Sequence, residues 1–441
     1  MKMRYTYIFF LISYLFSSML EVYGTGENCN QVGAQGIGMG NIYFFSDYSN
    51  GLNTSSIATF SKSNLTRVNF APQFSSNIGG MDDKDITVSS FSFSFPVGKS
   101  KAVSFGLSPY TRSEIRLLES NGYTISQNSS NFIDHALNSY SEYQFYGGIS
   151  NFSTSLSVGL GENNNFAFKF NTLFGNQIQM DKIVVSTFDA FNDSSEYNFV
   201  EQDSTSKVVL NQFSGYSIQF DWMSKINKHE FGISVTSMGP MNVFYRKYYD
   251  MYIYPDQYNP YERYFMNLTS GDDLLSYDPY YSKNIKEDIK FIPNILSRID
   301  DIKLGYHYQI DNRGIVFELH KDGMFQNSSL QVNDVNILNN SKPQSVSYHF
   351  GYYSRYDNSR ISFFNSINLR LGAYYKEYDF DSSEEATDFA LTFGIGFAIN
   401  DYLNLIDVGV RVGQRNYTLF ETENYITGNL SINIGERWFL R

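Results

Sequence analysis

Between Tyr425 and Ile434 apolar and polar residues alternate. Ile426, Gly428, Leu430, Ile432 and Ile434 share one face, and Thr427, Asn429, Ser431 and Asn433 the other. The stretch 388–397 repeats the weave, with Phe389, Leu391, Phe393, Ile395 and Phe397 set against Asp388, Ala390, Thr392, Gly394 and Gly396. A period of two marks a half-buried β-strand. The apolar face is too large and too aromatic for one thin soluble core, and the pattern recurs along most of the chain. It predicts an all-β transmembrane barrel, lipid-facing outside and polar inside.

Loop lengths order the strands. Six short connections, at 97–101, 161–165, 225–228, 311–313, 356–359 and 400–402, alternate with seven longer polar ones near 75–85, 112–142, 179–205, 244–297, 327–343, 377–385 and 417–423. Together they join fourteen antiparallel strands, and an even number leaves both ends on the periplasmic side. Outward positions include Phe105, Leu107, Leu156, Phe168, Leu304, Phe317 and Val410. The opposite face carries Lys169, Asp221, Lys303, His307, Glu318, His320, Arg370, Asp388, Asp407 and Arg411. A charge on the lipid face costs several kcal/mol near mid-membrane, which assigns these residues to the lumen. Register shifts at Ser89–Ser90 and Ile406–Asp407 predict two β-bulges.

Composition narrows the class. Of 441 residues 17% are aromatic, with 36 Tyr, 39 Phe and 2 Trp, which suits interfacial girdles. A net charge of -12 disfavours nucleic-acid partners, which are bound by excess Lys and Arg. One cysteine, Cys29, permits no internal disulfide. Met1-Lys2-Met3-Arg4 followed by the apolar run 8–20 reads as a secretory signal peptide. The expected division is a signal peptide over 1–24, an N-terminal segment over 25–63 and the barrel over 64–441, in a bacterial outer membrane.

Gln31-Val32-Gly33-Ala34-Gln35-Gly36-Ile37-Gly38-Met39-Gly40-Asn41, followed by Ser46-Asp47-Tyr48-Ser49, resembles the start of mature proteins of the long-chain fatty-acid transporter (FadL-like) superfamily, which includes PorV-like proteins of type IX secretion systems. Leu369-Arg370-Leu371-Gly372 and the ending Ile434-Gly435-Glu436-Arg437-Trp438-Phe439 are similar too. Where the family carries an Asn-Pro-Ala-Gly-like box, this chain has Asn53-Thr54-Ser55-Ser56. The resemblance implies a fourteen-stranded barrel whose N-terminal segment, with Gly33, Gly36, Gly38, Gly40, Asp47 and Asn53, folds into the lumen as a plug. It also implies an outer-membrane channel for small hydrophobic compounds such as fatty acids. A PorV-like binding or scaffold role in a secretion complex is the alternative, with membrane lipid as surroundings in either case.

Enzymatic and cofactor signals are weak. Gly36-Ile37-Gly38-Met39-Gly40 lacks the Lys-Ser/Thr of a phosphate loop. The five histidines show no metal-ligand spacing, and His229-Glu230 meets Ile233 where a zinc protease needs its second His. Lys303 and His307 opposite Glu318 and His320, Arg370 with Asp388, and Asp407 with Arg411 read as lumenal charge pairs rather than catalytic groups. No enzyme activity, cofactor or metal is expected. The connection 244–297 is far longer than usual and rich in tyrosine, including Tyr248, Tyr252, Tyr258, Tyr261 and Tyr264. Tyrosine combines an apolar body with a polar tip, so this loop is expected to be a lid or a contact site for a protein partner.

Overall fold

The computed structural model describes residues 27–29, 32–47, 55–78, 83–126, 133–191, 197–252, 285–291, 299–323, 331–332, 335–336, 344–357, 364–379, 385–400, 403–418 and 422–436. The predicted signal peptide, Asn53, Tyr258, Tyr261 and Tyr264 lie outside these residues, as do the side chains of Tyr248 and Tyr252.

Fourteen antiparallel strands form the wall: β1 (Thr66–Ile78), β2 (Asp83–Pro96), β3 (Lys101–Ser126), β4 (Ile133–Leu160), β5 (Asn164–Phe191), β6 (Tyr197–Ile226), β7 (His229–Tyr252), β8 (Ile299–Ile310), β9 (Arg313–Asp322), β10 (Gln344–Asp357), β11 (Phe364–Asp379), β12 (Glu385–Ile399), β13 (Asn404–Tyr417) and β14 (Glu423–Glu436). Each pairs with the next in sequence, β7 pairs with β8 across the longest connection, and β14 pairs with β1 to close the barrel. Closure satisfies the strand edges that hydrocarbon cannot hydrate. Short turns gather at one end, the turn end, and long hairpins at the other, the hairpin end. At the turn end Asn227, Asp311 and Asn400 adopt positive φ, a conformation tight turns require and Asn and Asp tolerate.

The alternation holds face by face. Leu391, Phe393, Leu371 and Phe317 point outward and are each about half exposed, whereas Thr427, Asn429, Ser431 and Asn433 are buried. Ser89 is the extra residue of a bulge, since Ala71 pairs Ser90 while Pro72 pairs Val88. The bulge expected at Ile406–Asp407 does not exist; β13 keeps unbroken register with both neighbours. Leu405 caused the misreading, because it faces inward beside Asp407 and packs on Ala398, so an apolar residue sits on the polar face.

The long connections are shorter than the sequence suggests. Most of 112–142 and 179–205 is strand, and 244–297 contains the end of β7 together with a strand at Ile285–Phe291 that pairs with β7. Strands β3 to β6 run 26 to 30 residues. A membrane crossing needs only ~9–11 residues, so these strands project well beyond the apolar band as a one-sided wall.

Among the described residues one break interrupts the wall. β2 and β3 pair from Pro96–Ala102 to Phe91–Leu107 and then part. Above that level β2 pairs with β1 and β3 with β4. Pro109 stands at the parting, where its missing N–H removes a ladder donor, and a bulge at Tyr110 follows. The two-residue strand Glu27–Asn28 lies on the freed edge of β3, opposite Arg112 and Thr111.

Candidate functional site

Residues 32–47 lie against the inner wall and are almost wholly buried. They hold the short helix α1 (Ala34–Gly38), a turn at Met39–Gly40 and an extended run to Asp47. The wall receives them on glycines. A Cβ placed on Gly394 of β12 would stand 2.8 Å from Gly38 Cα, and one on Gly372 of β11 would stand 2.6 Å from Gly40 Cα. Gly409 of β13 faces Ala34 and Gly38, and Gly351 of β10 faces Met39. Four neighbouring strands thus present bare backbone where the segment docks, and Gly40 itself takes a left-handed φ of 85°. On β7 and β8, Gly232 and Gly305 make room for the rings of Phe44 and Phe45.

Polar groups fix this contact. Gly40 N–H donates to Thr392 Oγ1 at 2.7 Å, and Thr392 donates to Gly38 O at 3.2 Å. His349 Nδ1 donates to Gly40 O at 2.8 Å. The Glu318 carboxylate accepts from Tyr43 N–H at 2.7 Å and Phe44 N–H at 2.8 Å. Arg370, with no solvent exposure, grips Asp47 through Nε and Nη2 at 2.7 and 3.0 Å, and its Nη2 also reaches Asp407 at 2.7 Å. Buried charges persist only when paired in this way. The Tyr43 hydroxyl donates to Asp221 at 3.2 Å, and burial, followed by the nearby Asp221 charge, holds its pKa well above the ordinary value.

A second piece, the 3-10 helix Ile57–Lys62, fills the turn end against β3 to β6. Ser61 donates to Asn165 at 2.9 Å, and Gly33 N–H donates to Ser55 at 3.2 Å, linking the two pieces. Phe60, Phe44, Phe45, Met39 and Ile42 form one apolar cluster inside the polar lumen.

The lumenal residues predicted from sequence do face inward, but their partners differ from the expected pairs. Lys303 lies opposite His320 rather than Glu318, with Asp301 and Asp322 near its ammonium and the Tyr43 ring below it. His307 bonds Glu230 at 2.9 Å and Tyr353 at 3.1 Å, and His320 bonds Glu318 at 2.8 Å. Arg370 takes Asp407 and Asp47, not Asp388. Asp388 instead accepts from Arg415 at 3.2 Å and from the hydroxyls of Tyr374 and Tyr425. Arg411 stacks on Tyr374 and Tyr425 and bonds Thr427. Asp47 was legible from sequence; Arg415 was missed, although the period of two places it on the same face as Asp407 and Arg411.

Beside the break in the wall lies an apolar patch that sequence reasoning also missed. Ile149, Leu173, Phe213, Met238, Met241 and Val243 cluster on the inner face of β4 to β7, with Tyr110 packed against them. The Tyr110 hydroxyl reaches Asp300 at 2.5 Å. Alternation alone cannot reveal such a patch, since its members sit on four strands up to 94 positions apart.

The fold of this barrel is similar to those of several solved structures. The chain superposes on a structure titled CymD monoaromatic hydrocarbon channel with a TM-score of 0.55 and 11% identity, over 93% of this chain and 98% of that one. A TodX deltaS2S3 mutant monoaromatic hydrocarbon channel matches at 0.51 and 12% identity, over 92% and 99%. A Pseudomonas aeruginosa FadL homologue matches at 0.50 and 9% identity, over 95% and 100%. A family model described as BamG matches residues 300–441, the part of the chain that includes Gly305, Gly351, Gly372, Gly394 and Gly409. No curated protein matches the chain.

Proposed function

We propose that this protein is an outer-membrane channel for uptake of small hydrophobic compounds such as fatty acids, with residues 25–63 as its plug. The observation that carries this reading is the break between β2 and β3 beside the apolar patch of Tyr110, Ile149, Leu173, Phe213, Met238, Met241 and Val243. A polar lumen alone suits a porin. An apolar patch at a break in the wall suits a solute that prefers lipid to water. Ligand enters at the hairpin end, rests on the patch, and leaves either through the break or past the plug. The similarity to structures titled hydrocarbon channels supports the same class. Proteoliposomes carrying the purified protein should take up a fluorescent fatty-acid analogue faster than protein-free vesicles; equal rates would overturn the reading.

The projecting hairpins favour a second reading. Strands of 26 to 30 residues offer a broad external wall for holding a protein partner. Fold does not choose between the two. A stable partner co-purifying from native membranes, with no transfer of the analogue, would favour the scaffold.

A further inference from the structure

We propose that Glu27 is a built-in competitor for an anion site at the hairpin end. A hydrophobic compound bearing a carboxylate would open the wall by taking Arg415 from Glu27. This rests on the uptake reading and names both the ligand chemistry and the contact it displaces.

The strap that Glu27 belongs to is held in two ways. Its backbone adds to the free edge of β3, where Glu27 and Asn28 pair Arg112 and Thr111 and Cys29 N–H donates to Tyr110 O at 3.0 Å. Its side chain reaches Arg415 on β13, the fourth strand past that edge. Arg415 Nη2 meets Glu27 Oε1 at 2.6 Å, and Nη1 meets Oε2 at 3.5 Å. A guanidinium holds any carboxylate by this same two-point contact. A two-residue ladder is little structure by itself, so the ion pair is the principal catch.

The surroundings of Arg415 suit an amphiphile. Its guanidinium lies 4.8 Å from the Tyr425 ring centroid, and that of Arg411 lies 5.3 Å from the same ring and 5.9 Å from the Tyr374 ring. Two cations stacked on tyrosine faces present charge beside flat apolar surface. Among the described residues no carboxylate is in ion-pair distance of Arg411. Arg415 also faces Asp388 at 3.2 Å and Glu423 at 4.0 Å. These lie on the wall strands β12 and β14, whereas Glu27 lies on the strap. A ligand carboxylate that takes the place of Glu27 therefore displaces an acid whose departure frees the break.

Hydrogen–deuterium exchange of the full protein in nanodiscs tests this, with octanoate and 1-octanol as probes of matched chain and different charge. Octanoate should raise exchange at Asn28 and Cys29 by about threefold or more, the scale of losing one partly exposed ion pair. Octanol should not. Glu27→Gln should show the raised exchange without any probe, and octanoate should add nothing to it. A spin label on Cys29, the chain's one cysteine, gives an independent readout of strap mobility. A Glu27→Gln strap as protected as the wild type, or octanol acting like octanoate, overturns the proposal. Because Glu27→Gln needs no ligand, it judges the catch even if transfer assays refute uptake.

Discussion

Gly372→Ala offers a sharp test of how the segment 32–47 is seated. The added Cβ would lie 2.6 Å from Gly40 Cα and still nearer Gly40 N and Met39 C. All three are main-chain atoms, so no side-chain rotation relieves the clash. Overpacking of this kind costs about 1–3 kcal/mol. The bonds of Gly40 with Thr392 and His349 resist lifting equally in both proteins. The clash alone therefore shifts the seated-to-unseated ratio, by about fivefold to 150-fold for about 1–3 kcal/mol. Barrel hydrogen bonds are untouched, so the variant should insert normally. In planar bilayers it should show frequent open events where the wild type is nearly closed. Gly428→Ala, where an added Cβ meets nothing within 4 Å, is the control and should behave as wild type. A Gly372→Ala channel as quiet as wild type would refute the seating argument.

Phe393→Arg places a cation on the lipid face and should abolish stable insertion, since lipid-facing Arg at mid-depth costs roughly 2–4 kcal/mol; outer-membrane fractionation reads this. Thr392→Arg, one residue away but inward, should insert and yet conduct openly, because it removes the bonds to Gly38 and Gly40. Equal failure of both variants would mean the faces are misassigned. Arg370→Ala strands the buried Asp47 and Asp407 and should lower stability by about 3–5 kcal/mol in denaturant titration of the detergent-solubilised protein. Asp47→Asn should be milder, because Arg370 keeps Asp407. Deleting residues 33–56 should leave an inserted barrel that conducts freely; no gain over the full chain would point away from a plug.

Wherever the wall meets lipid on one side and a polar lumen on the other, sequence alternation reports it, as along β12 and β14. Beyond the membrane that contrast fades. In the upper parts of β3 to β6, as at Ser113-Glu114, polar residues occupy both faces, so the period of two is lost and the stretch reads as a loop. Leu405 shows the converse, one inward apolar residue that imitates a register shift. The cluster of glycines at 33–40 was visible, but not the glycines that receive it, because Gly351, Gly372, Gly394 and Gly409 become neighbours only through strand pairing. Two residues of strap carry no periodic signal at all.

Transfer through the apolar patch is the most direct test of uptake. Leu173→Arg and Phe213→Arg each put a cation on the inner face beside the break, away from lipid and from the residues that seat the segment 32–47. Both proteins should insert, and both should slow transfer of a fluorescent fatty-acid analogue into proteoliposomes at least tenfold. Transfer at the wild-type rate in both variants would contradict the account.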